Sequence, residues 1–197
     1  MFRSFAVIPA AGRSVRMGHH KLLMPWCETT LIERVLSAWK CSRVTQVVVV
    51  VRPDDSRLCA VCLEAGAEVV VPDSPPPEMR ISVERGLHYV RERWSPQEED
   101  VWMLAPADMP GLSSPLINGV LEAHAPATPA ILAPTQGMKR GHPVLFPWFL
   151  ADKVRQLKVH EGVNALLNGH PVRPVMCTDP GHFQDVDTPA DVERFQG

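Results

Sequence analysis

The stretch VTQVVVVV, Val44 to Val51, is almost all valine, with Thr45 and Gln46 near its start. A strand that apolar has both faces covered, which marks a central parallel strand of an α/β sheet. Working outward, Phe5 to Ile8 reads as an earlier strand, and Thr29 to Lys40 places Leu31, Ile32, Val35, Leu36 and Trp39 at helical spacing, with Thr29 or Thr30 as cap. Beyond the valines, a cap-like Asp54 opens a helix towards Ala65, Ala67 to Val71 is a strand, Met79 to Arg93 a helix, and Val101 to Ala105 a fourth strand. Ser113 to His124 continues as a helix, with Pro115 at a first helical position after a Ser114 cap, and Pro189 likewise follows a Thr188 cap. The rest is looser: strands at Ala130 to Ala133 and His142 to Phe146, short helices around Trp148 to Leu157 and Glu161 to Asn168, strands near Val172 to Cys177 and His182 to Val186, and a last helix from Pro189. This βαβαβαβ opening predicts a three-layer α/β/α sandwich with a mostly parallel sheet and an antiparallel strand at one edge.

The chain has 197 residues, 45% of them hydrophobic, enough for one substantial core without disulfides or metals. One domain is expected, spanning residues 1–197. A net charge of −2 argues against a dedicated nucleic-acid binder, which needs an extended basic face. The longest apolar stretches are strand-length, the five cysteines are scattered, and Phe2 to Ile8 is too short and too interrupted for a secretory signal. No membrane association is expected, and the cytoplasm is the expected location. The 20 prolines mostly punctuate elements, and the Pro72 to Pro77 cluster reads as an exposed loop.

In a doubly wound sheet the ligand sits beyond the carboxyl ends of the strands. That rule selects the loop PAAGRSVRMGHHK, Pro9 to Lys21, and the loop after the fourth strand, Pro106 to Gly111. In the first, Ala10, Ala11 and Gly12 let backbone amides approach phosphate oxygens, and Arg13, Arg16 and Lys21 supply cationic groups. Composition alone leaves an ordinary basic loop equally open. The second loop carries Asp108 in PADMP, which suits a simple turn as well as a metal site. Asp185 and Asp187, two apart, point to one side of an extended segment, although Asp-Thr-Pro is also a capping sequence. Mg²⁺ takes one or two carboxylates together with substrate phosphates and water, which Asp108 and the Asp187 segment could supply.

These segments resemble the molybdenum cofactor nucleotidyltransferases, whose signature of Leu-Ala-Ala-Gly or Leu-Ala-Gly-Gly, then Arg-Met-Gly and a lysine, falls here at Ala10, Ala11, Gly12, Arg16, Met17, Gly18 and Lys21. The resemblance continues collinearly through LLMPW (Leu22 to Trp26), ISVERGL (Ile81 to Leu87), PADMP (Pro106 to Pro110), GHPVLF (Gly141 to Phe146) and DVDTPADV (Asp185 to Val192). It implies a Rossmann-like fold of the nucleotide-diphospho-sugar transferase kind and Mg²⁺-dependent transfer of a nucleoside monophosphate to a phosphorylated acceptor, with release of pyrophosphate. In that reading Ala10, Ala11 and Gly12 cradle the nucleotide, Arg16 and Lys21 hold its triphosphate, Ser82 lies near it, and Asp108 and Asp187 hold the metal with Asp185 in support. His142 contacts the acceptor or simply orders its loop. The Ala-Ala-Gly form is the one associated with cytidylyl transfer, so CTP is favoured over GTP, with molybdopterin as first acceptor and a molybdoenzyme or its chaperone as an implied partner.

The chain departs from the family pattern at three positions. Pro9 replaces a leucine, as it does in the related cytidylyltransferases of isoprenoid synthesis. Glu28 stands where a turn glycine is common, and Glu78 where glycine usually precedes Met79. An added carboxylate near the nucleotide opposes its binding. Competing expectations are therefore a nucleotidyltransferase for a sugar, polyol or phospholactate phosphate, and a non-catalytic nucleotide-binding protein of the same fold. No Gly-Lys-Ser/Thr P-loop and no G-x-G-x-x-G is present. Cys59 and Cys62 sit in an apolar helical stretch that reads as core, and the eight histidines lack metal-ligand spacing.

Overall fold

A computed structural model describes residues 2–12 and 20–177. In chain order the strands are β1 (Ser4–Pro9), β2 (Pro25–Trp26), β3 (Thr29–Thr30), β4 (Gln46–Val50), β5 (Glu68–Val70), β6 (Val101–Leu104), β7 (Ile131–Gln136), β8 (Lys139–Arg140), β9 (Val144–Pro147) and β10 (Val172–Met176). The α-helices are α1 (Leu31–Lys40), α2 (Ser56–Glu64), α3 (Met79–Trp94), α4 (Ser114–Glu122) and α5 (Ala151–Gln156). The main sheet runs β10-β7-β9-β6-β1-β4-β5, with β8 paired to β7. β1 pairs in parallel with β4 and β6, as do β4 with β5 and β10 with β7. Only β9 and β8 pair antiparallel in this sheet, among the described residues.

Alternation along the strands divides the core into two layers. Ala6, Ile8, Val47, Val49 and Met103 face α1, α2 and α4, through Leu36, Trp39, Leu58 and Ile117. Phe5, Val7, Val48, Trp102 and Leu104 face the other way, against Val83, Leu87 and Val90 of α3 and Val154 of α5. The three-layer sandwich is therefore as the valine-rich strand implied. No helix among the described residues is long and apolar enough to cross a membrane.

The antiparallel strand lies elsewhere than expected. β9 is inserted between β6 and β7 instead of forming an edge. Its reversal follows from the connection: β7 and β8 are joined by a tight turn at Gly137 (φ +58) and Met138, and so short a link returns the chain antiparallel.

Local chemistry also moved several boundaries. Thr30 caps α1 with a capping box to Glu33. Asp55, not Asp54, caps α2 by accepting from the Leu58 amide, and Ser113, not Ser114, caps α4, leaving Pro115 inside the first turn. The two expected C-terminal helices shrink. Trp148–Leu150 is a 3-10 turn leading into the short α5, and only 3-10 structure forms at Val163–Leu167, which Gly162 precedes and Gly169 (φ +87) follows. Cys62 is fully buried on α2, and burial pushes its thiol up to about 12, as befits a core residue. The expected strand at His182 to Val186 and the helix from Pro189 lie outside the described residues.

One contact in the core controls how α3 meets the sheet. A Cβ at Gly86 would lie 2.6 Å from Val7 Cγ1 and 3.1 Å from Val50 Cγ2. Gly86→Ala therefore forces β1, β4 and α3 apart, at a cost of about 1–3 kcal/mol, of which the better helix propensity of alanine offsets about 1 kcal/mol. A fall in the thermal midpoint, smaller when Val7→Ala is added than the two single falls predict, is the expected outcome of melting the native chain and the three variants.

Candidate active site

The carboxyl ends of β1, β4 and β6 lie side by side, and the chain leaves each of them in a loop. After β1, the Ala10 amide donates to Val50 O at 2.9 Å, so this amide is committed to the sheet. Ala10 and Ala11 are buried, whereas Gly12 is exposed and a Cβ on it would meet nothing within 4 Å among the described residues. Among the described residues, the rim at this point is thus backbone with no side chain packed over it.

Lys21 opens a 3-10 turn, Lys21–Leu23, whose Leu22 and Leu23 are anchored in the core. This anchoring draws the lysine inward until only 9% of its side chain is exposed. Its Nζ donates to Asp108 Oδ2 at 2.6 Å, across 87 positions of sequence. Asp108 follows β6 through Ala105 and Ala107, both buried, and its side chain is 26% exposed. The structure therefore joins the basic loop and the acidic loop directly. Next to Lys21, His20 Nε2 lies 2.6 Å from Asp55 Oδ2.

His142 reaches the same rim because β9 runs antiparallel to β6. The pair Leu104↔Val144 brings the start of β9 to the end of β6, and His142 Nδ1 lies 3.2 Å from Leu104 O. The His142–Pro143 peptide is cis. His142 also lines a cavity of ≈ 570 Å³ with Arg140, Asn164 and Asn168. Ser82 is buried in the first turn of α3, one turn before the Gly86 contact with β1 and β4. Arg16, Asp185 and Asp187 lie outside the described residues.

The two departing carboxylates take different positions. Glu78 precedes α3 without capping it through its side chain, and stands 4.0 Å from Arg80 Nε and 3.7 Å from His160 Nδ1. Its charge is thereby partly answered by the Arg80 guanidinium, beside a cavity of ≈ 340 Å³. Glu28 is exposed in the turn between β2 and β3, and the left-handed backbone there falls on Cys27 (φ 51).

Arg52 was missed in the sequence. It follows β4 after Val51, with its side chain 10% exposed and its guanidinium gripped by both oxygens of Asp54. The hydrogen bond to Asp54 raises its already high pKa against the opposing effect of burial, so it is a permanent cation on this rim. The available signal was its place, just beyond the carboxyl end of the valine-rich strand β4.

A family model described as MobA-like NTP transferase domain matches residues 6–175. Among solved structures, the chain is similar to Rv0371c from Mycobacterium tuberculosis H37Rv, with 26% identity over 98% of this chain and 97% of that one and a TM-score of 0.83. A complex of Rv0371c with manganese matches at 23% identity, 98% and 97% coverage and a TM-score of 0.76. A nucleotidyl transferase from Methanothermobacter shares the fold at 20% identity, covering 98% of this chain and 95% of that one, with a TM-score of 0.82. So does a 4-diphosphocytidyl-2C-methyl-D-erythritol synthase, at 19% identity, 100% and 98% coverage and a TM-score of 0.77. No curated protein sequence matches the chain.

Proposed function

Because the chain belongs to the MobA-like NTP transferase domain family and is a nucleotidyltransferase, we propose that it transfers CMP from CTP to a phosphorylated small molecule, molybdopterin first among the candidates. The observation that carries this reading is the Lys21–Asp108 pair at the carboxyl ends of β1 and β6, which puts a phosphate-seeking cation and a hard carboxylate oxygen on one ligand-facing rim. Ala11 and Gly12 offer close backbone approach to the nucleotide and Ala10 shapes its floor. Arg16 and Lys21 take the triphosphate, and Ser82 lies beside the nucleotide. The small Ala10-Ala11 pair and the cytidyl product in the name of the synthase relative support CTP over GTP.

The residues present fit Mg²⁺. Asp108 is a partly exposed carboxylate, and a small hard cation needs only one or two of these beside phosphate oxygens. Asp108 would hold it, with Asp187 and Asp185 as further ligands, and the manganese complex of Rv0371c supports a divalent ion. Bound there, Mg²⁺ would neutralise the charge that develops on the triphosphate during transfer. The acceptor enters the cavity beside His142, where Arg140 can pair with its phosphate and Asn164 and Asn168 can meet the edges of a polar ring system. Its volume is that of an ordinary small-molecule site. An oxygen of the acceptor phosphate attacks the α-phosphorus as the bond to the β-phosphate oxygen breaks and pyrophosphate leaves. The nucleophile is already an anion, so positioning and charge neutralisation suffice without a general base.

Pyrophosphate release tests the reading directly. With Mg²⁺ and molybdopterin, release is expected to be greatest with CTP. Sugar, polyol and phospholactate phosphates form the other arms of the assay. No release with any nucleotide and any of these acceptors would sink the proposal.

A further inference from the structure

We infer that the cavity of ≈ 340 Å³ between the start of α3 and the turn at residues 158–162 binds a small zwitterion of the α-amino-acid class with an apolar side chain, its carboxylate on Arg80 and its ammonium on Glu78 and Glu161. Neither Ser82 nor the Lys21–Asp108 pair is in the lining, so the site stands apart from the nucleotide chemistry.

Arg80 carries the argument. Its side chain lines the cavity and is only 10% exposed, and its Nε is buried with no hydrogen-bond partner among the described residues. The two carboxylates that answer its charge stand too far off to accept a hydrogen bond: Glu78 Oε2 is 4.0 Å from Nε, and Glu84 Oε2 is 3.7 Å from Nη1. A guanidinium taken out of water with its donors unmet costs free energy, and a carboxylate entering the cavity supplies the missing bonds in bidentate geometry. The rest of the lining rules out a plain anion. Glu78 and Glu161 share the wall, and Glu161 spends Oε2 on the Lys158 amide at 2.8 Å, which leaves its other oxygen for a ligand. His160, with Nδ1 3.7 Å from Glu78 Oε1, is the remaining titratable group there. A simple anion on Arg80 would meet these carboxylates, and a simple cation on the carboxylates would meet Arg80, in surroundings where water screens weakly. A zwitterion satisfies both. An α-amino acid carries its two charges on one carbon, a spacing that suits a guanidinium and a carboxylate held 4.0 Å apart. The exposed Met79 and the buried Val163 complete the wall with apolar surface for the side chain. The volume is at the small end of ligand sites, as one amino acid requires.

Heteronuclear magnetic resonance of the ¹⁵N-labelled native chain, titrated with L-leucine, is expected to show saturable shifts of the Arg80 Nε–H and of the Met79 and Gly162 amides. Two analogues each lack one charge: 4-methylpentanoate has no ammonium and 3-methylbutylamine has no carboxylate. Each is expected to bind about tenfold or more weakly than leucine. Arg80→Met is expected to lose leucine affinity to a similar extent. Glu78→Gln is expected to weaken leucine and to tighten 4-methylpentanoate, a reversal of sign that a plain anion site does not give. Circular dichroism checks that the variants are folded, and should Arg80→Met unfold, the analogue series on the native chain decides alone. No saturable shift at these three signals overturns the site, as does 4-methylpentanoate binding as tightly as leucine. A folded Arg80→Met with native leucine affinity, or a Glu78→Gln that tightens leucine as well, overturns it equally.

Discussion

Asp108→Asn is expected to lower turnover on the order of 10²–10⁴-fold, the loss that several kcal/mol of transition-state charge stabilisation implies. Asparagine keeps the size of the side chain and one oxygen able to accept from Lys21 Nζ, so the native contact at 2.6 Å survives as a weaker, neutral hydrogen bond. The side chain is 26% exposed, and the stability lost is accordingly small beside the catalytic effect. What asparagine cannot supply is the anionic oxygen that holds a divalent ion against the triphosphate. Steady-state kinetics should show kcat and kcat/KM for CTP falling together, the mark of an interaction made in the transition state. A far-ultraviolet spectrum like that of the native chain excludes unfolding as the cause. Unchanged turnover in a folded variant would remove Asp108 from the site.

The part of this site that was legible in the sequence was legible for topological reasons. A run such as Val47–Val51 can only be a strand covered on both faces, and such strands come with a ligand-bearing rim at their carboxyl ends. Lys21 and Asp108 both sit in loops that leave parallel strands, so their apposition followed from the order of elements. The position of β9 did not follow. Its hairpin to β7 is local, but its four-residue register with β6, from Val101↔Pro147 to Leu104↔Val144, joins segments some forty residues apart. That pairing decides that His142 meets Leu104 and lies on the rim. Arg52 was illegible for a different reason. An arginine before Pro-Asp-Asp reads as a solvated turn charge, and only the grip of Asp54 and the surrounding packing keep it on the rim with 10% of its side chain exposed. The C-terminal helices are shorter than their apolar spacing predicts, because that spacing in Trp148–Leu150 and Val163–Leu167 serves packing into the core layer of α3 and α5 within single 3-10 turns.

A second aspartate brackets the same strand, and removing it should damage the fold and leave the chemistry alone. Asp100 immediately precedes β6, at the end opposite Asp108, and is 2% exposed. It accepts from the Arg3 amide at 2.6 Å, Arg3 Nε at 3.0 Å, Arg3 Nη2 at 2.6 Å and the Gln97 amide at 2.8 Å, tying the start of β1 to the turn before β6. Asp100→Ala leaves two backbone amides without their acceptor, whereas the Arg3 side chain, 37% exposed, regains water. The loss is about 3 kcal/mol, most of it from the amides. For a chain of this size the thermal midpoint falls by about 6–12 °C. Burial works to raise the Asp100 pKa, but the Arg3 guanidinium and the amides of Gln97 and Arg3 outweigh it and hold the carboxyl below its usual range. A depressed folded-state pKa means that this stabilisation is present above the unfolded pKa of about 3.9 and is lost as the pH falls through the folded value. The gap between native and Asp100→Ala melting points should therefore be widest near neutrality and close in acid below about pH 4. Activity per folded molecule at a temperature well below both midpoints should match the native chain, because the substitution sits at the opposite end of β6 from Lys21 and Asp108. A variant that melts normally, or whose gap persists unchanged into strong acid, would deny Asp100 this role.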